Sequence, residues 1–375
     1  MVDAFKRTFL EKTREVVECF RPDLILCHHL YLLTAVVREA FPQYKTAAIC
    51  HGTGLRQVKK NSLERDYILA HIKELDMVFC LHREQREEIS RIYGVPGERL
   101  EVIGSGFDDS IFRYMPVQKE NGVKRLIYAG KLSEKKGVMS LLRSLTYLEQ
   151  LQRKDGEQQG QGIGQPAAPM KIEVWLAGGY GNQLEYETIK KLADQSPYPV
   201  KFLGRLDQPQ LAERMNQADV FVLPSFYEGL PLVVIEALAC GLQVVCTDLP
   251  GVRPWLEENI GTCAVKFVPL PAIVNADEPV EQELPQFERR LAEAIAESLE
   301  ADGSRQGADG SRQGADGSRQ GVDSSRQGPD SRPPETPGGE SLAAAGPSIA
   351  SPLPDLSRIS WTGISKKILE SCNLI

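Results

Sequence analysis

The sequence predicts an α/β protein made of two Rossmann-like, doubly wound domains, the first of them short. Three observations lead to this prediction. At 375 residues the chain is long enough for two domains. Its 42% apolar and 25% charged residues are those of an ordinary globular protein. Short apolar runs alternate with helical patterns, and because the alternation restarts near residue 124, it indicates two separate parallel sheets.

The first predicted domain covers residues 1–115 and begins with an amphipathic helix, MVDAFKRTFLEKTREVVECF. Apolar runs that are typical of buried parallel strands follow: PDLILCHH, KTAAICHG, DMVFCLH and ERLEVIGSGFD. The helical patterns between them are YLLTAVVREAF, SLERDYILAHIKEL and REQREEISRIYG, the last of which ends at Gly94. Three or four strands are few for a complete domain of this kind.

The second predicted domain covers residues 116–275 and holds a full alternating series. Its predicted strands are KRLIYAG, KIEVWLAGG, VKFLGR, DVFVLPS and LQVVCTD. The helical patterns among them are GVMSLLRSLTYLEQL, YETIKKLADQ, QLAERMNQA and PLVVIEALACG. Residues 152–170, rich in Gln and Gly, interrupt the series and are predicted to form a flexible surface insertion.

The last hundred residues are predicted to contain two helices separated by disorder. One helix is expected over residues 276–300 and the other over residues 356–375. Residues 301–355 carry the repeat ADGSRQG and then a stretch rich in Pro, Ser and Ala. Because such a composition cannot bury enough apolar surface to offset the loss of chain entropy, disorder is predicted there.

Composition excludes several classes of function. A net charge of −7 argues against a nucleic-acid-binding protein, which normally carries a basic surface. No apolar run reaches the length of a membrane span, and the N-terminus lacks an apolar signal core, so a cytoplasmic protein is expected. The eight cysteines form no CxxC pair and are expected as reduced thiols. The run Cys27-His28-His29 is not predicted to bind a metal, because adjacent strand residues point to opposite faces.

Two carboxylates stand in the stretch LPSFYEGLPLVVIEALACG, where a predicted strand passes through a short loop into a helix. Pro231 suits the first turn of that helix. The exposed amides of Gly229 and Leu230 at the helix N-terminus suit an anionic group. Glu228 and Glu236 flank this anion site. One of them is predicted to hold sugar hydroxyls and the other ribose hydroxyls.

Two cations follow another predicted strand, in YAGKLSEKKG. The strand ends at Gly130, and Lys131 and Lys136 precede the next helix. Cations at the carboxyl end of a parallel strand are suited to a diphosphate. A solvated role is the alternative for either lysine when it is considered alone.

Taken together, these motifs resemble the retaining group-one glycosyltransferases (family 4) of the GT-B fold. The spacing of Glu228 and Glu236 is similar to the family's Glu-x7-Glu signature, and AGKLSEKKG is similar to its basic diphosphate motif. VIGSGFDDSIF resembles the linker between its domains, and SWTGISKKIL resembles the final helix that crosses back onto the first domain. FLGRL and ADVFVLPS match in order and spacing. The resemblance implies two Rossmann-like domains that face a cleft.

The resemblance also implies roles for the two charged motifs. Glu228 would be the catalytic carboxylate beside the donor sugar, and Glu236 would bind the ribose. Lys131 and Lys136 would neutralise the diphosphate and the charge that grows on the leaving group. Lys131 departs from the family, which usually has Arg at this position; lysine keeps the charge but loses the bidentate fork.

Further positions acquire roles in the same way. Gly130 and the turn formed by Gly229, Leu230 and Pro231 would let the backbone approach the donor closely. Gly204 and Arg205 would lie near the base. His51, at a predicted strand end, matches a first-domain histidine that faces the sugar, and a core histidine is the alternative for it. Together these predicted site residues are His51, Gly130, Lys131, Lys136, Gly204, Arg205, Glu228, Gly229, Leu230, Pro231 and Glu236.

The function implied is transfer of a hexose from a UDP-, GDP- or ADP-sugar to a hydroxyl acceptor with retention, without a metal or other cofactor. The acceptor would be a carbohydrate, a polysaccharide or a lipid-linked molecule, and Arg56 and Gln57 are candidate contacts for it. The aromatic and basic residues of the first helix would allow peripheral contact with a membrane.

The family's glycine-rich first loop is not found, so an N-terminally incomplete first domain is expected. The alternatives are a non-catalytic sugar-nucleotide-binding protein that needs a partner, a sugar-nucleotide epimerase and a glycogen-type synthase.

Overall fold

A computed structural model of the chain describes residues 2–120, 122–159, 170–261, 264–275, 277–313 and 356–375, with the backbone alone for 155–159 and 302–313. The α-helices in these ranges are α1 (Val2–Phe20), α2 (Leu32–Ala40), α3 (Thr53–Lys60), α4 (Arg65–Ile72), α5 (Arg83–Tyr93), α6 (Val138–Gln159), α7 (Gln183–Asp194), α8 (Gln208–Gln217), α9 (Leu232–Ala239), α10 (Val252–Asn259), α11 (Leu284–Gln313) and α12 (Trp361–Ser371). The β-strands are β1 (Ile25–His28), β2 (Thr46–Ile49), β3 (Met77–Cys80), β4 (Leu100–Val102), β5 (Val123–Ala129), β6 (Lys171–Ala177), β7 (Val200–Gly204), β8 (Val220–Leu223), β9 (Gln243–Asp248), β10 (Val265–Pro269), β11 (Ile273–Val274) and β12 (Glu278–Pro279).

Two parallel sheets organise the chain. The first has four strands in the order β1-β2-β3-β4, and the second has six in the order β10-β9-β8-β5-β6-β7. The predicted α/β class with two Rossmann-like parallel sheets is therefore confirmed. Every residue of β2 and of β8 is buried, because helices cover both faces of a parallel sheet, and this is why these strands appear in the sequence as continuous apolar runs.

The two sheets differ in the path of the chain. In the second sheet the chain moves outward from β5 through β6 to β7, then returns to the other side of β5 and continues through β8, β9 and β10. The order therefore reverses between β5 and β8, and such a switch point opens a crevice at the carboxyl ends of the strands. The first sheet adds its four strands in sequence and has no such reversal among its described strands.

The final helix, α12, packs against the first sheet. Ile364 and Ile368 share an apolar cluster with Ile49 and Phe79 of that sheet. Backbone hydrogen bonds between Phe107 and the residues around Ser360 attach the start of α12 to the segment that joins the two sheets. The C-terminal helix therefore ties the two halves of the chain together.

Several elements differ from the sequence prediction in extent. Helix α6 continues to Gln159, through the start of the predicted 152–170 insertion, and residues 160–169 lie outside the described part. The helix predicted over 276–300 begins only at Leu284, after the short hairpin of β11 and β12. It continues to Gln313, into the segment predicted as disordered; residues 314–355 lie outside the described ranges.

Helix α10 and strand β10 were not predicted from the sequence, because they follow the last clear apolar run. Strand β10 pairs with β9 and completes the edge of the six-stranded sheet. Within the described ranges, the helices include none that combines the length and the apolar character needed to cross a bilayer.

Candidate functional site

The centre of the site lies at the switch point of the six-stranded sheet, where the loops after β5 and β8 meet. Lys136 Nζ, from the first loop, lies 2.6 Å from Glu228 Oε1, from the second. The Lys136 side chain is 31% exposed and that of Glu228 is 16% exposed, so both are accessible from the cleft. The two motifs that were recognised separately in the sequence therefore form one ion pair.

Gly137 allows the two loops to approach this closely. Its φ of +68° is in the left-handed region, and a Cβ at this position would overlap the carbonyl group of Pro224 in the neighbouring loop. The amide of Phe226 also donates to the carbonyl oxygen of Lys135 at 3.1 Å. Backbone contacts of this kind fix the two loops, and therefore Lys136 and Glu228, relative to each other.

The first half of the chain faces this pair through the end of β2. A Cβ placed on Gly229 would lie 3.5 Å from the His51 carbonyl oxygen and 3.0 Å from Leu81 Cδ1. On the other side of His51, a Cβ on Gly52 would lie 3.4 Å from the Tyr227 hydroxyl. The predicted His51 and Glu228 positions are therefore on opposite walls of one cleft, with glycines at the points of closest approach.

Three histidines cluster at the ends of β1 and β2. His28 Nδ1 lies 2.8 Å from His51 Nε2, and the two rings are stacked with centroids 5.1 Å apart. The His29 ring centroid is 5.0 Å from that of His51. Burial, together with the neighbouring imidazoles of His28 and His29, lowers the pKa of His51 to about 4. His51 is therefore neutral at pH 7 and can act as a hydrogen-bonding group.

Glu236 lies on α9 and is buried, with 8% of its surface exposed. Burial raises its pKa to about 7, because the ionised carboxylate loses hydration there. Leu230 is buried ahead of the helix. Pro231 is the residue that precedes the helix, in extended conformation, rather than part of the first turn as the sequence predicted.

A pocket of about 460 Å³ opens at the ends of β5, β6 and β7. Backbone hydrogen bonds from Gly130 to Ala177 and from Gly178 to Gly204 join the three strand ends at its floor. Its lining residues include the predicted Gly204 and Arg205 together with Leu132, Gly178, Gly179, Tyr180, Tyr186 and Phe202. The rings of Tyr180 and Tyr186 are stacked with centroids 4.0 Å apart, which gives the pocket an aromatic wall suited to a planar ring.

Not all the predicted cations meet at the centre. Lys131 is exposed, and its ammonium group lies beside Gly181 at the mouth of the aromatic pocket. Within the described part of the chain, neither Lys131 nor Arg205 is ion-paired with Glu228, whose partner is Lys136. The predicted residues therefore fall into two places, the pair at the switch point and the aromatic pocket.

A second pocket, of about 320 Å³, lies where helix α3 approaches the loop after β5. It is lined by Arg56, Gln57, Lys60, Asn61, Lys135 and Asp277. Arg56 and Gln57, the candidate acceptor contacts, therefore share this pocket with Lys135, the residue before Lys136, and lie outside the Lys136–Glu228 pair. Among the described residues, no group of three or more His, Cys, Asp or Glu side chains has the arrangement of a metal site.

Sequence reasoning missed several of these residues. His28 and His29 were considered only as metal ligands, and their contacts with His51 were not predicted; His29 follows the strand end with a φ of +71°, and both rings lie beside that of His51. Tyr180 could have been found, since it follows Gly178-Gly179 directly at a predicted strand end. Asp277 has no local signal: it stands in a short hairpin far along the chain.

Each half of the chain matches a known protein family. The family described as "Glycosyl transferases group 1" matches residues 113–267, and "Glycosyltransferase Family 4" matches residues 4–111. The two matches adjoin, and together they span both sheets except for the last strand residues of the second. The predicted resemblance to group-one glycosyltransferases is therefore confirmed.

Curated relatives are distant and longer. The chain is 26% identical over 258 residues to the amylovoran biosynthesis glycosyltransferase AmsK of Erwinia amylovora, covering 64% of this chain and 57% of AmsK. It is 25% identical over 180 residues to glycogen synthase of Mycobacterium tuberculosis, covering 48% and 39%. It is 28% identical over 172 residues to D-inositol 3-phosphate glycosyltransferase of Pseudarthrobacter chlorophenolicus, covering 44% and 37%. The chain thus spans between 37% and 57% of the length of these relatives.

Solved structures show the same fold at low identity. Sucrose-phosphate synthase from Thermosynechococcus elongatus is 20% identical with a TM-score of 0.52, covering 82% of this chain and 77% of that one. Anabaena HepE, solved in complex with UDP and glucose, is 17% identical with a TM-score of 0.51, covering 80% and 81%. Both are GT-B structures, so the two sheets and the cleft between them are arranged as in that fold.

Proposed function

Because the chain belongs to the group 1 glycosyltransferases of the GT-B fold, we propose that it transfers a hexose from a nucleoside-diphosphate sugar to a hydroxyl group, with retention of the anomeric configuration. The observation that carries this proposal is the 2.6 Å contact between Lys136 Nζ and Glu228 Oε1 at the switch point. The contact supports a mechanism in which Glu228 binds sugar hydroxyls and Lys136 binds phosphate at one point of the cleft, opposite His51.

The donor extends from this point into the six-stranded half. Its diphosphate is held by Lys131, Lys136 and the amides of Gly229 and Leu230, which precede the N-terminus of α9. Glu236 accepts hydrogen bonds from the ribose hydroxyls. The base enters the pocket of about 460 Å³ beside Arg205, against the aromatic wall, and UDP, GDP and ADP are the candidate nucleotides.

The ion pair of Lys136 and Glu228 is the resting state of the donor site. In the free protein each charge compensates the other, which lowers the cost of keeping them partly buried. When the donor binds, the diphosphate supplies a new partner for Lys136, and the sugar hydroxyls supply new partners for Glu228. Lys136 then lies on the phosphate side of the bond that breaks, and Glu228 lies on the sugar side.

In the transfer step, the bond between the anomeric carbon and the phosphate oxygen breaks, and a bond from the acceptor oxygen to the same carbon forms on the same face. The acceptor proton passes to a phosphate oxygen of the departing nucleoside diphosphate. Lys131 and Lys136 stabilise the charge that develops on this leaving group, so we propose that no divalent metal is needed. His51 remains neutral, since its pKa is about 4, and positions the sugar by hydrogen bonding.

The acceptor is a carbohydrate, a polysaccharide or a lipid-linked molecule that enters from the first half of the chain. Contact with a cytoplasmic membrane surface belongs to the same proposal. Phe5 and Phe20 of α1 are 54% and 77% exposed, and such rings beside basic side chains can rest in the interface of a bilayer.

Three measurements test the function. In a thermal-shift panel of UDP-, GDP- and ADP-sugars, one nucleotide should raise the melting temperature, because a ligand at about 100 times its Kd stabilises the folded state by about 2.7 kcal/mol. With that donor, Glu228→Gln should reduce transfer roughly 100- to 1000-fold. Analysis of the labelled product separates transfer from epimerisation of the sugar.

The control variant is Glu213→Gln, which changes an exposed carboxylate on α8 and should leave transfer at the wild-type rate. Full activity in Glu228→Gln would contradict the proposed role of the pair. If no nucleotide sugar shifted the melting temperature, the donor assignment would be wrong.

A further inference from the structure

Three cations converge on one carboxylate in the second pocket. Arg56 Nη1 lies 2.9 Å from Asp277 Oδ2, Lys135 Nζ lies 2.9 Å from the same oxygen, and Lys60 Nζ lies 3.8 Å from Oδ1. Arg56 and Lys60 come from α3 in the first half, whereas Lys135 comes from the loop after β5. The pocket of about 320 Å³ is therefore built by both halves of the chain.

The charges in this pocket do not cancel. The side chain of Asp277 is only 3% exposed. Burial alone would raise its carboxyl pKa, but Lys135, Lys60 and Arg56 outweigh burial and hold the pKa below its usual value, so Asp277 is ionised at neutral pH. One negative charge against three positive ones leaves two positive charges at the wall of an open pocket. Such an excess attracts a small anion.

The three cations keep donor groups for such an anion. Lys60 is beyond hydrogen-bonding distance from Asp277, and its side chain is 45% exposed. The Lys135 side chain is 55% exposed, and one of its three N–H groups suffices for Asp277. Arg56 uses one nitrogen for the same carboxylate and is 33% exposed. Asp277 therefore fixes the cations in place while leaving most of their hydrogen-bonding capacity directed to the pocket.

The pocket adjoins the reaction centre through two pairs of consecutive residues. Lys135 lines the pocket, and the next residue, Lys136, contacts Glu228. The guanidinium carbon of Arg56 lies 5.3 Å from the centre of the Tyr227 ring, and Tyr227 directly precedes Glu228. Consecutive Cα atoms are about 3.8 Å apart. A single small acceptor molecule could therefore reach from an anion site in the pocket to the transferred sugar.

We propose that this pocket binds the phosphate of a phosphorylated acceptor, so that the molecule that receives the hexose is a phosphomonoester. The proposal rests on the glycosyltransferase function proposed above and specifies its second substrate. A phosphomonoester carries a charge of about −1.5 to −2 at pH 7, which matches the excess of two cations, whereas a carboxylate would leave one cation uncompensated. Its oxygens accept from both Arg and Lys donors. The phosphate belongs either to a soluble sugar or polyol phosphate or to a lipid headgroup.

Calorimetric titration of the full chain tests the proposal, with and without a saturating nucleoside diphosphate. The probes are inorganic phosphate, glucose 6-phosphate and glucose. The phosphorylated sugar should bind at least about ten-fold more tightly than glucose, and the double variant Arg56→Gln with Lys60→Gln should weaken it by about ten-fold or more. Lys135→Gln, which changes the opposite wall of the pocket, should also weaken the binding of glucose 6-phosphate. The nucleoside diphosphate should bind all variants as it binds the wild type.

Lys59→Gln is the matched control, because Lys59 is on the same helix, next to Lys60, but is paired with Glu88. It should leave the affinity for glucose 6-phosphate within about two-fold of wild type. Sedimentation with phosphatidylcholine vesicles that contain or lack phosphatidic acid identifies the source of the phosphate. Binding only to the phosphatidic acid vesicles, lost in the double variant, indicates a lipid acceptor, whereas binding only to the soluble probes indicates a soluble one.

The proposal is overturned if neither the soluble phosphates nor the phosphatidic acid vesicles bind. It is also overturned if the double variant and Lys135→Gln bind them as the wild type does. A lower melting temperature with unchanged phosphate affinity would make the cluster a clasp between the two halves instead. Loss of nucleotide binding or of transfer with phosphate binding intact would contradict the proposed function and leave the pocket as a phosphate site. Should the double variant fail to fold, the exposed Lys135→Gln decides the outcome.

Discussion

The two sheets of this chain contribute to the cleft in different ways. The six-stranded sheet reverses its strand order between β5 and β8, and the loops at that point supply Lys136 and Glu228 in direct contact at 2.6 Å. The four-stranded sheet adds its strands in order, and its contribution comes from neighbouring strand ends, where His28 and His51 meet. The first arrangement brings together opposite charges, and the second brings together imidazole rings.

This difference separates the chemical tasks of the two halves. Charge at the donor side is suited to a diphosphate and to the leaving group, whose charge grows during transfer. A neutral histidine at the other wall can position a sugar without adding a charge that would compete with the lysines. We therefore expect the largest effects on transfer from the switch point and smaller ones from the histidine cluster.

The largest expected effect is that of Lys136→Ala. It removes the cation at the switch point and leaves Glu228 without its partner, so transfer should fall roughly 100- to 1000-fold, as measured by kcat/KM. Lys131→Ala should have a smaller effect, because Lys131 is exposed at the pocket mouth. Lys131→Arg, which restores the residue usual in the family, should keep the activity. Equal losses for the two alanine variants would break the distinction between a central and a peripheral cation.

The donor side could be predicted from the sequence more completely than the first half. The motifs around Lys136 and Glu228 are each contained in about ten consecutive residues, and the strand-loop-helix pattern around them indicates that they face the same edge of a sheet. The alternation of apolar runs likewise predicted both parallel sheets. The residues of the first-half site lack such a pattern, because His28 and His51 are joined only by strand pairing.

Asp277 could not have been predicted at all. It has no motif, and its importance comes from three cations that the fold brings to it from two distant segments. The extent of α11 also escaped prediction, since its C-terminal part carries the ADGSRQG repeat, whose composition disfavours a helix in isolation. Local pattern thus finds residues that work with their neighbours in sequence, and it misses those that act through tertiary contacts.

Stability provides a second comparison of the halves. Gly137→Ala places a Cβ against the Pro224 carbonyl in a left-handed backbone conformation, and the backbone has to move, so the free energy of unfolding should fall by about 3 kcal/mol or more. In the first half, a Cβ on Gly54 would lie 2.8 Å from the Leu30 carbonyl oxygen without a positive φ, and Gly54→Ala should cost about 1–2 kcal/mol. Denaturant titration measures both.

Gly261→Ala is the control for backbone strain alone. Its φ is +85°, and no atom lies within 4 Å of the added Cβ, so a cost of about 1 kcal/mol is expected. If Gly137→Ala cost no more than Gly261→Ala, the two loops at the switch point would not be held by close backbone packing.

The histidine cluster should give an intermediate effect. His51→Ala should lower kcat/KM by roughly 10- to 100-fold, because it removes the group that is proposed to position the sugar by hydrogen bonding. His28→Ala should lower it by only a few-fold, since His28 acts by fixing the His51 ring through the 2.8 Å contact. His71→Ala, which changes a histidine on α4 outside the cluster, serves as the control. A loss in His28→Ala as large as that in His51→Ala would mean that His28 itself touches the substrate.

The smallest expected effect is the dependence of donor binding on pH. It tests whether the titrating group belongs to the six-stranded half or to the histidine cluster of the first half. Glu236 has a pKa of about 7, so its ionised fraction rises about ten-fold between pH 6 and pH 8. If the carboxylate accepts hydrogen bonds from ribose, the affinity for the nucleotide sugar should rise by up to that factor. The diphosphate diester of the donor keeps its charge over this range, and His51 stays neutral because its pKa is about 4.

The stability of the free protein should change with pH in the opposite direction. The folded state keeps the Glu236 proton up to about pH 7, whereas the unfolded chain releases it near 4.5, so the free energy of unfolding falls as pH rises between these values, by about 3 kcal/mol at most. Glu236→Gln should abolish both trends, with weaker donor binding but a more stable free protein at pH 8. If donor binding by Glu236→Gln still depended on pH, a group other than Glu236 would be titrating. If His51→Ala abolished the pH dependence instead, the titrating group would lie in the first half of the chain.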